Sequence, residues 1–183
     1  MSVVTAAAVT LRIADSSDAL CIAVLGTQVF LDTYATEGIR PLIARTVREH
    51  FSLRVIVAEI ANPSTTFVVA ESSGHMVGFA QLTHGATHNI VTANVTAELD
   101  RLYVQERFSG KGIGKLLLHR AEELAASEGA TALWLTAWVG NHRALAFYAH
   151  RAYTDVGSTV YTFEDEQVEN RVFVKELHAR MAT

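Results

Sequence analysis

The chain has 183 residues, roughly one domain at about 150 residues each. Half of them are hydrophobic, 19% are charged and the formal charge is −4, which excludes a disordered chain and a protein that grips nucleic acid along its phosphates. Cys21 is the single cysteine, so no internal disulfide can form and a reducing, cytoplasmic setting is expected. The apolar run Ala19 to Gly26 is too short to cross a bilayer. Val3 to Val9 lacks the basic leader of a secretion signal, and Arg12 and Asp15 follow at once, so no membrane partner is expected.

In chain order, Val9 to Ala14 suits a strand, and Ser16, Ser17 and Asp18 are helix-capping types. Leu20, Ala23, Val24, Thr27, Leu31 and Tyr34 then recur at helical spacing, with Gly26 a weak point in the pattern. Helices are expected over Pro41 to Phe51 and Ser52 to Ala61, the second stopped before Pro63. Thr66 to Glu71 and Met76 to Thr83 read as strands around Ser72-Ser73-Gly74-His75, which has hairpin chemistry. Gly85 to Ala93 is polar and reads as a loop. Glu98 to Val104 is the next strand, followed by a turn holding Gly110, Gly112 and Gly114. Behind it Ile113, Leu116, Leu117, Ala121, Leu124 and Ala125 trace one face of a helix ending at Gly129. Ala132 to Val139 suits a strand buried on both sides, Asn141 to Arg151 a short helix, and Thr159 to Phe163 with Arg171 to Leu177 a closing strand pair. Hairpins mixed with one strand–helix–strand unit predict an α/β fold, a mixed sheet covered by helices, in one domain over residues 1–183.

The segment richest in chemistry runs from Leu102 to Lys115, a strand feeding a glycine-rich turn that feeds a helix. Three glycines at alternate positions let the backbone bend tightly and bring N–H groups close to a ligand. The first N–H groups of the helix have no internal acceptor, and the helix dipole adds positive potential, so the turn suits a phosphate. Lys111 and Lys115 would add point charges. Gly110-Lys111-Gly112 lacks the hydroxyl that a Walker loop gives to magnesium, and Lys115 stands where the dinucleotide fingerprint needs its third glycine. The alternative is a structural turn at a strand–helix junction.

Arg107-x-x-Gly110-x-Gly112 resembles the Q/R-x-x-G-x-G/A motif of the GNAT superfamily of N-acetyltransferases, and Asn141 to Tyr148 is similar to its N-x-x-A-x-x-F-Y segment. The order of elements from Val9 to Leu177 agrees, so the resemblance covers nearly the whole chain. One departure is Ala152-Tyr153, where the family usually has Gly-Phe. The resemblance implies about seven mostly antiparallel strands with a splayed central parallel pair, and four to five helices. It implies direct transfer of an acetyl group from acetyl-CoA to an amine through a tetrahedral intermediate, without a metal.

By the same resemblance, the main chain of Arg107, Ser109, Gly110, Lys111, Gly112, Ile113, Gly114 and Lys115 would hold the pyrophosphate of coenzyme A. The main chain of Leu102, Tyr103 and Val104 would pair with the pantetheine arm, and the Leu102 amide would polarise the thioester carbonyl. Asn141 would bond that arm, or cap its helix, or both. Tyr148 would be the general acid, since a phenol near 10 keeps its proton at neutral pH and a thiolate needs one. The alternative is a core tyrosine with its hydroxyl at the rim. Glu98, on one strand face with Asp100, Leu102 and Val104, would be the general base, with Asp100 in reserve. Its alternatives are a solvated carboxylate or an ion pair with Arg101. Tyr34 lies where relatives line the acceptor groove, and packing of the helix end is the competing role.

Phe30-x-x-x-Tyr34 and Glu98 to Val104 look similar to small-amine acetyltransferases, including the polyamine group, so a small primary amine is the expected acceptor. Rival functions are acetylation of a protein or peptide amine, and a non-catalytic acyl-CoA-binding sensor. A homodimer is possible because sheet edges pair readily. His84-x-x-x-His88 has metal-like spacing but lies in a loop with no further ligands beside it, so no metal is expected. Trp134 and Trp138 are expected in the core, and Cys21 is read as a small hydrophobe within an apolar helix.

Overall fold

The computed structural model describes residues 8–163 and 166–178; most of Val3 to Val9, where a leader was discounted, lies outside them. The strands are β1 (Val9–Ile13), β2 (Thr65–Ser72), β3 (His75–His84), β4 (Thr96–Val104), β5 (Ala132–Trp138), β6 (Thr154–Phe163) and β7 (Glu166–Glu176). The helices are α1 (Ala19–Tyr34), α2 (Pro41–Phe51), α3 (Leu53–Ala61), α4 (Ile113–Ser127) and α5 (His142–Ala149), with 3-10 turns at Ser16–Asp18 and Glu106–Phe108. The sheet order is β1-β2-β3-β4-β5-β7-β6; β4 and β5 run parallel, while β1/β2, β5/β7 and β6/β7 are antiparallel. This is the mixed α/β sheet expected from the sequence. No helix among the described residues is long and apolar enough to cross a membrane. By contacts the chain divides into two compact units, one up to Gln81 with Arg101–Arg120, the other Leu82–Asp100 with Ala121 onward.

In the first unit, Arg12 forks onto Asp18 at 2.6 and 2.8 Å and reaches Glu71 at 2.6 Å, tying β1 to the entry of α1. Asp15 caps Ser17 N–H at 2.8 Å while Asp18 accepts from Asp15 N–H at 2.9 Å, a reciprocal capping box. The guanidinium holds the Asp18 carboxyl below the usual carboxylate range. The core gathers Ala19, Ile22, Ala23, Leu25, Ile56, Phe67, Val69 and Phe79. Burying a side chain such as Ile22 or Phe79 stabilises by about 1.5–3 kcal/mol.

The expected face of α1 needs correction. Ala23 is buried, but Leu20 and Val24 are 59% and 62% exposed, and Ile22, Leu25 and Gly26 face inward instead. The helix is apolar nearly all round, so spacing alone does not select its inner side. Cys21 is likewise exposed rather than packed. Gly26 has a packing reason: a Cβ there would meet the Phe51 ring at 2.6 Å. On α4, Leu116 is 47% exposed and Leu118 takes its place inside.

At the β2–β3 turn, Ser73 (φ 51°) and Gly74 (φ 76°) supply the two positive φ angles of a type I′ hairpin.

In the second unit β5 is buried along most of its length, with Trp134 in the core and Trp138 half-buried. β6 and β7 each run five residues further toward their N-termini than the sequence suggested. Those added stretches carry polar residues and little apolar signal. They pair through main-chain ladders across a bulge between Asp155 and Gly157, and through Arg171, which grips Asp155 at 2.8 Å.

Candidate functional site

The first unit contains the strand–turn–helix. Gln105 N–H donates to Val77 O at 3.0 Å, fixing the end of β4 against β3. The next turn of chain is a 3-10 helix in which Phe108 and Ser109 N–H donate to Gln105 O and Glu106 O, each at 2.9 Å. Those two amides are therefore spent, which removes Ser109 from the expected main-chain donors, while the amides of Arg107 and of Gly110 onward remain for an anion. Gly110 (φ 74°) and Gly112 (φ 83°) both lie in the left-handed region. A Cβ at either would meet open space, so it is the backbone conformation and not crowding that calls for glycine.

α4 closes its first hydrogen bond from Leu116 N–H to Gly112 O at 3.1 Å. The amides of Ile113, Gly114 and Lys115 precede that bond and have no acceptor within the helix. Ile113 is 2% exposed and pins the first turn to the core, which keeps those amides in place. Lys111 and Arg107 flank the turn, their charged ends 5.0 and 6.0 Å from the centre of the Phe108 ring. The result is an exposed cradle of main-chain donors at the positive end of a fifteen-residue helix, with cations beside it. It fits a diphosphate.

Upstream, Gly78 is required for a different reason. Its φ is ordinary, but a Cβ would stand 2.6 Å from Tyr103 O, so only glycine lets β3 lie this close to the Leu102–Val104 backbone. Tyr103 packs on Phe79 and Phe51 at 5.5 and 6.1 Å, and Phe30 bridges Phe51 to Tyr34 at 5.6 and 4.7 Å. Burial, aided by the Tyr34 hydroxyl, holds the Tyr103 phenol above its ordinary range. Tyr34, raised by burial as well, thus joins an aromatic group beside β4. Arg101 is engaged by Glu59 at 3.0 Å, by Gln81 and by the Phe51 ring at 4.9 Å.

The second unit holds the carboxylates. β4 alternates here: Ala97 and Leu99 are buried, Glu98 is half-buried and Asp100 exposed. The parallel ladder with β5 covers three positions, Thr96↔Ala132, Ala97↔Leu133 and Glu98↔Trp134. Burial, and secondarily the charge of Asp100, push the Glu98 carboxyl up to about 7. Asp100 accepts from Thr83 Oγ1 at 2.8 Å, a partner that the sequence did not signal.

Asn141 caps α5: its Oδ1 accepts from Ala144 N–H at 3.1 Å, which leaves its Nδ2 donors for other duty. Tyr148, 8% exposed, has its ring among Phe147, Tyr153 and Phe173 at 5.2, 5.6 and 6.1 Å. The core role foreseen for its ring is therefore filled; the role of its hydroxyl is a separate matter. Ala152 adopts φ 62°, so the turn that usually carries glycine is kept with alanine in a left-handed conformation. Tyr153 uses its hydroxyl, donating to Glu122 Oε1 at 3.1 Å, and the same carboxylate binds Lys175 at 2.8 and 2.9 Å. His88 packs on Trp134 at 5.1 Å, and Trp134 Nε1–H donates to Ala86 O at 3.1 Å.

Against known proteins, the profile of the acetyltransferase (GNAT) family matches residues 32–153. An uncharacterized N-acetyltransferase of the pepI 3′ region in Lactobacillus delbrueckii subsp. lactis is 26% identical over 84% of this chain and 88% of its own. Streptothricin acetyltransferase of Streptomyces lavendulae is 30% identical over 61% of this chain and 57% of its own. Among solved structures, the PaiA N-acetyltransferase of Thermoplasma acidophilum in complex with coenzyme A superimposes with a TM-score of 0.71. It is 23% identical, covering 92% of this chain and 99% of that one.

Proposed function

We infer the reaction from a firm premise, that the chain belongs to the acetyltransferase (GNAT) family. It is an N-acetyltransferase that draws on acetyl-CoA. Our finer reading is direct transfer to the primary amine of a small, polyamine- or diamine-like molecule, by one catalytic domain over residues 1–183. The observation that carries the use of acetyl-CoA is the glycine turn ahead of α4, whose main-chain donors and left-handed glycines suit a diphosphate; the small-amine acceptor rests on the resemblance of Phe30-x-x-x-Tyr34 and Glu98 to Val104.

Bound there, acetyl-CoA supplies the acetyl group as a thioester. The amides from Gly110 to Lys115 hold its diphosphate, and the Leu102–Val104 main chain carries the pantetheine arm as an added strand. The Leu102 N–H donates to the oxygen on which negative charge develops, a contribution of a few kcal/mol for a fixed donor. Asn141 Nδ2 bonds the arm while Oδ1 keeps its cap. Tyr34 lines the acceptor end.

An alkylamine with a pKa near 10.4 must lose a proton before it can attack, at a cost of about 4.6 kcal/mol at pH 7. Glu98 takes that proton. With its carboxyl near 7 it is a stronger base than an ordinary glutamate, yet half ionised at neutral pH. Tyr148 gives its hydroxyl proton to the departing sulfur. Asp100 and Glu98 together draw a cationic acceptor toward the strand.

The test is a panel of spermidine, diamines, amino acids and short peptides, read by acetyl-dependent thiol release. Spermidine or a diamine should turn over with the highest kcat/KM. Preference for peptides would replace the small-amine reading, and coenzyme binding without turnover of any amine would replace the enzyme with a sensor.

A further inference from the structure

α2 and α3 meet at Ser52, whose extended backbone (φ −65°, ψ 146°) breaks what would otherwise be one long helix. The break opens a groove of about 560 Å³ lined by Arg45, Arg48, Glu49, Ser52, Arg54 and Val55. Arg45, Arg48, Glu49 and Ser52 follow at i, i+3, i+4 and i+7, so one side of α2 presents them together. Arg54 comes from the first turn of α3. Charge is concentrated here: residues 40–54 hold four arginines, Arg40, Arg45, Arg48 and Arg54, against Glu49 alone, in a chain of formal charge −4.

None of the ion pairs among the described residues involves Arg48 or Arg54. At the mouth of α3, Val55 and Ile56 N–H both donate to Ser52 O at 3.0 and 3.1 Å, while the Ser52 side chain makes no capping bond. The Leu53 and Arg54 amides precede that closure and lack an acceptor within the helix. Arg45, Arg48, Arg54 and Ser52 thus line one cavity of ligand size, beside the start of α3.

We propose that the α2–α3 groove binds a small oxyanion, phosphate or carboxylate in chemistry, that carries two or more negative charges. Arg48 and Arg54 each take two oxygens in bidentate fashion, which an ammonium cannot do. Two such forks take two anionic groups, so a ligand carrying two or more negative charges fills both arginines and a monoanion does not. The oxyanion site is read from the α2–α3 residues alone, while the saturation with coenzyme A and the acceptor arm of the test below rest on the acetyl-transfer reading.

The experiment is calorimetric titration of the full chain, first saturated with coenzyme A to fill the glycine turn, with pyrophosphate and separately with citrate. At least one should bind saturably, about tenfold more weakly in Arg48→Gln and in Arg54→Gln. Arg48→Lys should lose less, and affinity should fall with added salt. Both arginines are exposed, so the melting temperature without anion should not change. A second arm locates the anion: KM for phosphoethanolamine and for ethanolamine as acceptors. A rise in Arg48→Gln for the first alone places the anion on the acceptor; two unchanged KM values beside a weakened titration place it on a separate molecule. No saturable heat with either anion, or equal affinities in wild type and both glutamine variants, overturns the proposal.

Discussion

From Ala97 to Asp100, β4 alternates between buried and more exposed positions; from Arg101 to Val104 every residue is half-buried and the alternation is gone. The first stretch offers side chains, above all Glu98, whose basicity is set by what covers it. The second offers main chain, held by Gly78 against the Tyr103 carbonyl and continued into the left-handed glycines ahead of α4. One strand thus carries two kinds of chemistry, and each kind should respond to a different kind of substitution.

Side-chain chemistry should give the largest effects. Tyr148→Phe keeps the ring among Tyr153 and Phe173 and removes only the hydroxyl, so kcat should fall about a thousandfold. Coenzyme A affinity, measured by calorimetry, should stay within about twofold of wild type. An unchanged kcat would strip Tyr148 of its role as acid.

Glu98→Gln should lower kcat about a hundredfold at neutral pH. In wild type, kcat/KM should decline as pH falls through about 7, where Glu98 takes up its proton, and the variant should lose that limb. Stability gives a second readout. The folded-state value lies above the ordinary 4.5, so the native state binds the extra proton between about 4.5 and 7 and stability falls as pH rises through that window. Glu98→Gln should therefore raise the melting temperature at pH 8 and leave it unaltered at pH 4. A rise of equal size at both would detach the effect from ionisation.

The main-chain stretch calls for a different substitution. Gly78→Ala drives a Cβ toward the Tyr103 carbonyl and should cost about 1–3 kcal/mol in chemical denaturation. Coenzyme affinity should weaken with it. A fully stable Gly78→Ala chain would show that β3 and β4 can separate freely. Smallest of all, Ala152→Gly relieves a left-handed alanine and should stabilise by about 0.5–1 kcal/mol, with kcat unaltered.

The same contrast explains what the sequence disclosed. The glycine turn was legible because a left-handed backbone leaves few residue choices, and Gly110 and Gly112 are those choices. Most element positions followed from apolar spacing, yet α1 showed where spacing fails: an almost wholly apolar helix hid which of Ile22 and Val24 points inward. β6 and β7 ran past their predicted starts because ladder hydrogen bonds, which leave no mark in composition, extend strands through Thr154–Ser158 and Glu166–Asn170. The Glu98 shift depends on tertiary cover; the division of α2 from α3 at Ser52 was legible in the sequence, but the arginine groove that it opens was not. Asn141 was readable as a cap from its residue type alone, and the cap is present.

The most direct test of the account is titration of coenzyme A into wild type and Gly112→Val. Valine disfavours φ 83°, so the turn should relax and withdraw its donors, with affinity falling about tenfold to a hundredfold while the fold stays intact. Equal affinity in both chains, or no heat in wild type, would contradict a diphosphate cradle on α4.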